Sequence, residues 1–314
     1  MAATTIKSTM TPASNQTGQT VAVRQFKITD IPDAMKKIEW PVAAELMLKW
    51  FDGKPWSTTK DGGMEEEVKA HHKFAPDEYI NESIVKMSWA LQFDRAKESV
   101  DRLRTKWNNP AAINLIKSKM KPVYGGRAPG VYPFAFNGVA SAVERFGYAN
   151  SETIEFEQSG EDEVNELRAA LANFNIHVFA EGEIAVTEKS VVFLPNRIGF
   201  YIEDSYDFND ALSLYSQGLG YWNFDGIEAD IVKGANKNAN NTLEQNRLKF
   251  NSRGGMNPEK QAVYDELGRK HYMLVQNSDF QKYRQENQKG GDFRVYSDVL
   301  YESVSAAPIE ILVK

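Results

Sequence analysis

Apolar residues recur at helical spacing through the first third of the chain and alternate with polar ones through much of the rest. In "DIPDAMKKIEWPVAAELMLKWFDGKPW" the pattern predicts two helices. Asp30 or Asp33 can cap the first, Pro41 suits the first turn of the second, and Gly53 is its natural stop. Val42, Leu46, Lys49 and Trp50 share one side, and Met47 and Phe51 widen the stripe. "NESIVKMSWALQFDRAKESVDRLRTKW" predicts one long amphipathic helix, with Ile84, Met87, Leu91, Ala96, Val100, Leu103 and Trp107 along its apolar face. "NPAAINLIKSKM" predicts another, capped by Asn109 with Pro110 at its first position.

Clustered Pro and Gly in "KPVYGGRAPGVYPF" end the helical pattern and place a boundary near residue 124. The division is then a polar tail over 1–22, a helical domain over 23–124 opening on the strand-like "VRQFKI", and a C-terminal α+β domain over 125–314. Beyond the boundary, "EDEVNELRAALANFN" predicts one amphipathic helix. "IHVFAEGEIAV", "SVVFLPNRIGFYIED" and "FRVYSDVLYESV" read as strands, and the dipeptides Glu181-Gly182 and Pro195-Asn196 as turns of a β-meander. The Asn- and Gly-rich run "VKGANKNANNTLEQNRLKFNSRGGMNP" reads as a long loop with at most a short helix. Two more helices follow, with Asn257 and Ser278 as caps. Gly290-Gly291 sits where a helix should stop, a structural role. The fold class expected is α+β: a helical N-terminal region followed by a mixed, mainly antiparallel β-rich α/β region.

Composition narrows the functions. The chain has 314 residues, 42% hydrophobic and 25% charged, enough for a sizeable core. A net charge of -6 gives no bulk reason to bind nucleic acid. The absence of cysteine excludes disulfides, thiolate metal sites and a cysteine nucleophile. No run approaches the ~18 apolar residues of a membrane span, and the N-terminus lacks the apolar core of a secretory leader. The expectation is a protein that is cytoplasmic in its producer and leaves, if it does, without a cleaved leader. Of the four histidines, His71 and His72 sit in a charged segment and read as solvated. His177 opens an apolar strand and reads as a hydrogen-bonded core residue. None has the i, i+4 spacing of a zinc helix, and neither a phosphate-binding loop nor a serine nucleophile motif is present.

"FYIEDSYDFND" is the one crowded polar cluster, with Asp204, Asp207 and Asp210 around Tyr206 at a strand end. Such carboxylates can hold a hard cation such as Mg²⁺ or activate water, and a tyrosine can position a phosphate. They can equally form an Asx turn, and on residue types alone that plainer reading leads.

Several long segments, "IPDAMKKIEWPVAAELMLKWFDG", "ESIVKMSWALQFDRAKESVDRLRTKWNNPAA", "IGFYIEDSYDFND" with "LGYWN", and "NSDFQKYRQENQKGGDFRVYSDV", resemble an uncharacterised bacterial domain family met beside type VI secretion components. The stretch Asp204-Ser205-Tyr206-Asp207 is similar to the D-x-Y-D signature of colicin-M-like toxins. Those toxins cleave a lipid-linked peptidoglycan precursor with a divalent cation. The resemblance implies that Asp204 and Asp207 hold the cation or activate water while Tyr206 positions substrate. The His-Arg pair of that family is missing from "FNDALSLYSQ", so Arg247, Arg253, His271 or Arg284 has to supply the basic group from elsewhere in the fold, and Arg284 is the one expected in the catalytic set. What the resemblances imply is a type VI secretion effector acting on a phosphate or pyrophosphate linkage. Its partners are a spike or tube component and a cognate immunity protein. The alternative is a non-enzymatic adaptor or cargo module, with Trp40, Trp50, Trp56, Trp89 and Trp107 forming a partner groove or, as their spacing favours, a core.

Overall fold

The computed structural model describes residues 24–156, 162, 164–209, 218–252 and 254–313. The polar tail over 1–22, Asp210 and Arg253 lie outside them. Where the expected caps exist, helices form: α1 (Ile31–Lys37) and α2 (Pro41–Asp52), with Pro41 at the first position and Gly53 at the C-cap. The described residues of "VRQFKI", 24–28, make no strand. The Asp30 carboxylate accepts from the Lys27 backbone N–H at 2.9 Å and folds the chain into a 3-10 turn over Ile28–Asp30. A one-turn helix, α3 (Glu66–Lys69), interrupts the charged segment.

The single long helix expected from residue 81 to 107 is broken. The chain forms a two-residue strand, β1 (Ile80–Asn81), then α4 (Met87–Ala90) and α5 (Asp94–Arg104). Partners from outside the helix replace helical hydrogen bonds. Asn81 Oδ1 accepts from Ile84 N–H at 3.1 Å, and the Asp298 carboxylate accepts from Met87 N–H at 2.7 Å. Tertiary contacts here override the local period. α6 (Pro110–Tyr124) starts under Asn109, whose side chain accepts from Ala112 N–H at 2.8 Å.

After residue 124 come β2 (Gly130–Phe134), α7 (Ala140–Phe146), β3 (Asn150–Ile154) and α8 (Glu166–Leu171), the last shorter than expected. β4 (Phe174–Val186) and β5 (Ser190–Tyr206) then form one long hairpin rather than a meander. Glu181-Gly182 and Pro195-Asn196 are not turns. They oppose each other as a β-bulge: Glu181 pairs with Arg197 and Gly182 with Pro195. Glycine is required at 182, because a Cβ there would lie 2.0 Å from the Leu194 carbonyl oxygen.

β6 (Gly218–Asn223) and β7 (Gly226–Glu228) lead into α9 (Ile231–Phe250), a 20-residue helix where a loop was expected. Its asparagines serve tertiary contacts: Asn238 bonds both the N–H and the carbonyl of Tyr272, at 2.7 and 2.8 Å. α10 (Pro258–Arg269), β8 (Met273–Gln276), α11 (Asn277–Asn287), β9 (Phe293–Tyr296), β10 (Leu300–Ser303) and β11 (Ile309–Val313) complete the order. Gln276, not Ser278, caps α11, with Asp279 returning a bond to its N–H at 2.9 Å.

The larger sheet runs β1-β9-β5-β4-β2; β10 and β11 also pair with β5, and β3 with β4. Every pairing in it is antiparallel except β1 with β9. β7-β6-β8 form a second, smaller sheet. The architecture is thus a mixed α+β fold with N-terminal helices and a largely antiparallel sheet.

Alternation gives the large sheet two distinct faces. Val178, Phe200, Ile202 and Val295 face a continuous core shared with Trp50, Leu103 and Trp107 from the N-terminal helices. Trp56 is also buried, so the core role of these tryptophans outweighs a partner groove. Phe179, Tyr201 and Tyr296 face the other way, under Ala140 and Val143 of α7.

Candidate functional site

The aspartates of the D-x-Y-D stretch part company. Asp204 and Tyr206 share the core face of β5, whereas Asp207 follows the strand end. Asp204 is buried, and its Oδ1 accepts from Ser205 N–H at 2.7 Å. Burial, with Glu203 next in the chain, lifts its carboxyl well above the ordinary range. The Tyr206 ring is stacked on Phe293 at 5.2 Å, and burial raises its phenol. Asp207 accepts from Asn209 N–H at 3.2 Å and lies 3.7 Å from Lys69 Nζ. Burial, then the charge of Asp292, push its carboxyl up to about 6.

Arg284 is buried beside Asp292, to which its guanidinium donates. Asp292 is the hub of this region. It accepts from Trp50 Nε1 at 2.8 Å, Met64 N–H at 2.9 Å and Asn209 Nδ2 at 3.0 Å. Asp207 and Arg284 therefore share a neighbourhood through Asn209 and Asp292, while Asp204 and Tyr206 lie on the core face of β5, Tyr206 paired with Phe293. Among the described residues, no group of three or more His, Cys, Asp or Glu side chains is placed to hold a metal ion. The glycines before Asp292 are structural, as expected: a Cβ on Gly291 would lie 2.2 Å from the Lys54 carbonyl oxygen.

Chemistry-bearing groups gather instead on the opposite face of the sheet. There a cleft of about 280 Å³ is lined by His71, Phe74, Lys119, Glu144, Tyr148 and Arg294, among others. Behind it lie Glu203 of β5 and His177 of β4, both almost fully buried. The Arg294 guanidinium donates to Glu203 and to the Val68 carbonyl. Asn175 Nδ2 donates to Glu203 at 3.0 Å, and Tyr201 Oη to Glu144 at 2.7 Å.

Both histidine expectations change here. His71 is not simply solvated. Its side chain is 44% exposed, yet Nδ1 lies 3.5 Å from Glu144 and Nε2 3.8 Å from Glu203. Its backbone is left-handed, φ 59°, a conformation that costs a non-glycine residue on the order of 1 kcal/mol and recurs at functional sites. His177 is buried but not hydrogen-bonded. Its Nε2 is 3.7 Å from Glu203 and 4.0 Å from Glu144, and neither ring nitrogen has a hydrogen-bond partner among the described residues. The ring lies against Tyr148 at 3.9 Å.

Electrostatics make the cluster polarised. The Glu144 side chain, followed by the charge of Glu203, raises the His71 imidazole above its usual value despite partial burial. Burial works to raise Glu203, but His177, Arg294 and His71 outweigh it and hold the carboxyl at about 2. At 3.7 Å the His177 contribution is one of proximity rather than of a formed hydrogen bond. Glu144, also opposed by burial, is held low by His71, His177 and Tyr201. At neutral pH two ionised carboxylates, Glu144 in the cleft lining and Glu203 behind it, thus face an imidazole biased toward its charged form. A solvent-reaching imidazole oriented by a carboxylate can donate a proton to a leaving group or take one from water.

Reading the residues alone missed this site because it draws on six separate parts of the chain, around His71, Lys119, Glu144, His177, Glu203 and Arg294. A signal for half of it was present. A hairpin turning at 187–190 with one bulged residue at Asn196 puts His177 opposite Tyr201 and diagonal to Glu203 on one face. Mistaking the bulge dipeptides for turns hid that register. Nothing local marks His71 or Glu144.

A family model described as a family of unknown function (DUF6402) matches residues 26–312, and the chain belongs to that family. No curated protein matches the chain, and no solved structure does.

Proposed function

We propose that this family member is a hydrolytic enzyme whose active site is the His71 cleft, carried as an antibacterial effector of a type VI apparatus. The observation that carries the enzymatic part is the placement of His71. Its imidazole reaches solvent while both nitrogens face carboxylates that are themselves buried. In this reading His71 is the proton donor and acceptor at the substrate. Glu144 holds the ring, and Tyr201 holds Glu144. The secretion context rests on the resemblance of the long segments quoted above, and a spike or tube component and an immunity protein are the partners it brings. A cation on Asp204 and Asp207, cleaving a pyrophosphate linkage, is the competing chemistry. The D-x-Y-D spacing favours it, and the burial of Asp204 on the core face weighs against it.

One expression experiment tests these together. The protein is produced in a susceptible bacterium in the cytosol, and separately with a periplasmic leader. Wild type is expected to kill in one compartment. His71→Gln is expected to stay folded and not kill, while Asp204→Asn retains killing. Loss of killing in folded Asp204→Asn with retention in His71→Gln would move the chemistry to the D-x-Y-D stretch. Killing in neither compartment favours the adaptor reading. That reading has its own support: α9 buries only Gly234, and Val232, Leu243 and Phe250 on it are each more than 60% exposed.

A further inference from the structure

We infer that the His71 cleft binds a phosphoryl group carried on a flat or apolar ring. The inference rests on the reading of this cleft as the active site and adds its substrate class. Four elements deliver cations to the same cavity: Lys73 from the segment after α3, Lys119 from α6, Arg145 from α7 and Arg294 from β9. Glu144 is the carboxylate in its lining. The side chains that line the cavity thus include more cations than carboxylates, although the chain as a whole carries a net charge of -6.

The cations differ in how committed they are. Arg294 is held by Glu203 and the Val68 carbonyl and sets the floor. Lys73 pairs with Glu65 at 2.7 Å, and Arg145 pairs with the exposed Asp77. Such surface pairs are worth about 0–1 kcal/mol, so an incoming dianion competes for them at small cost. Lys119 is exposed and makes no ion pair among the described residues. Cations supplied by several separate elements suit a tetrahedral dianion better than a planar carboxylate, which one guanidinium fork satisfies. Beside them Phe74 is 51% exposed, and Tyr148 offers a second ring to the cavity. The cavity, about 280 Å³, is at the small end for ligand sites, so it takes a head group rather than a polymer.

The test is binding of phenyl phosphate, inorganic phosphate and phenol to the full chain, followed by NMR shifts of the histidine rings and by calorimetry. Phenyl phosphate is expected to bind more tightly than inorganic phosphate, and phenol not to bind. Lys119→Gln with Arg145→Gln is expected to weaken phenyl phosphate at least tenfold. Phe74→Ala is expected to erase its advantage over inorganic phosphate. Lys282→Gln, exposed on α11, serves as the charge control and is expected to change nothing. Absence of phenyl phosphate binding, or equal binding by the Lys119 and Arg145 double variant, would overturn the inference. Those results leave the killing assay of His71→Gln untouched, so failure of the ligand class and failure of the acid–base reading are separable.

Discussion

Asp207 shows how one residue's surroundings separate a structural role from a chemical one. Its carboxyl is partly buried near Asp292 and lifted to about 6, against an ordinary value near 3.8. The folded form then holds a proton that the unfolded chain has released. Stability is therefore lost as pH rises from about 4 to about 6, and the deficit is complete above that. Two pH units correspond to roughly 1–3 kcal/mol once relaxation is allowed. Asp207→Asn is accordingly expected to be more stable than wild type at pH 7.5 and little changed at pH 4.5, measured by urea denaturation at both. Equal stability at both pH values would mean that this carboxyl is solvated.

Among elements, α2, α11, β9 and the loop through Met64 meet at Asp292, which satisfies Trp50, Arg284, Met64 and Asn209 together. Asp292→Ala leaves a buried guanidinium without its charge partner, which costs about 3–5 kcal/mol. A melting temperature within a degree or two of wild type would show that the hub contributes little. Sequence reading placed α1, α2, α6 and α10 because each carries its own cap or proline. It failed at 81–107 and at α9, where the deciding partners, Asp298 and Tyr272, are distant in sequence. In the hairpin it found the strands but cut them at the bulge, since Gly and Pro serve bulges and turns alike.

At the scale of the whole molecule, the helical first part and the β-rich second part complete each other on both faces of the sheet. The core face takes Trp50 and Leu103 from the first part. The other face takes His71 from that part and sets it against Glu144 and Glu203 of the second, which His177 also approaches. That convergence is why the cleft was illegible one segment at a time, while the crowded "EDSYDFND" drew attention. It also gives His71 a pH signature with a definite sign. Because the folded imidazole titrates above its ordinary value, the stability it adds is fully present below about 6.5 and fades as pH rises through the raised value. The most direct test is therefore an NMR titration of the four histidines in wild type and in Glu144→Gln. His71 should titrate above the ordinary histidine value in wild type and shift toward it in Glu144→Gln, with the fold retained. A His71 that titrates at the ordinary value in both proteins would contradict the account.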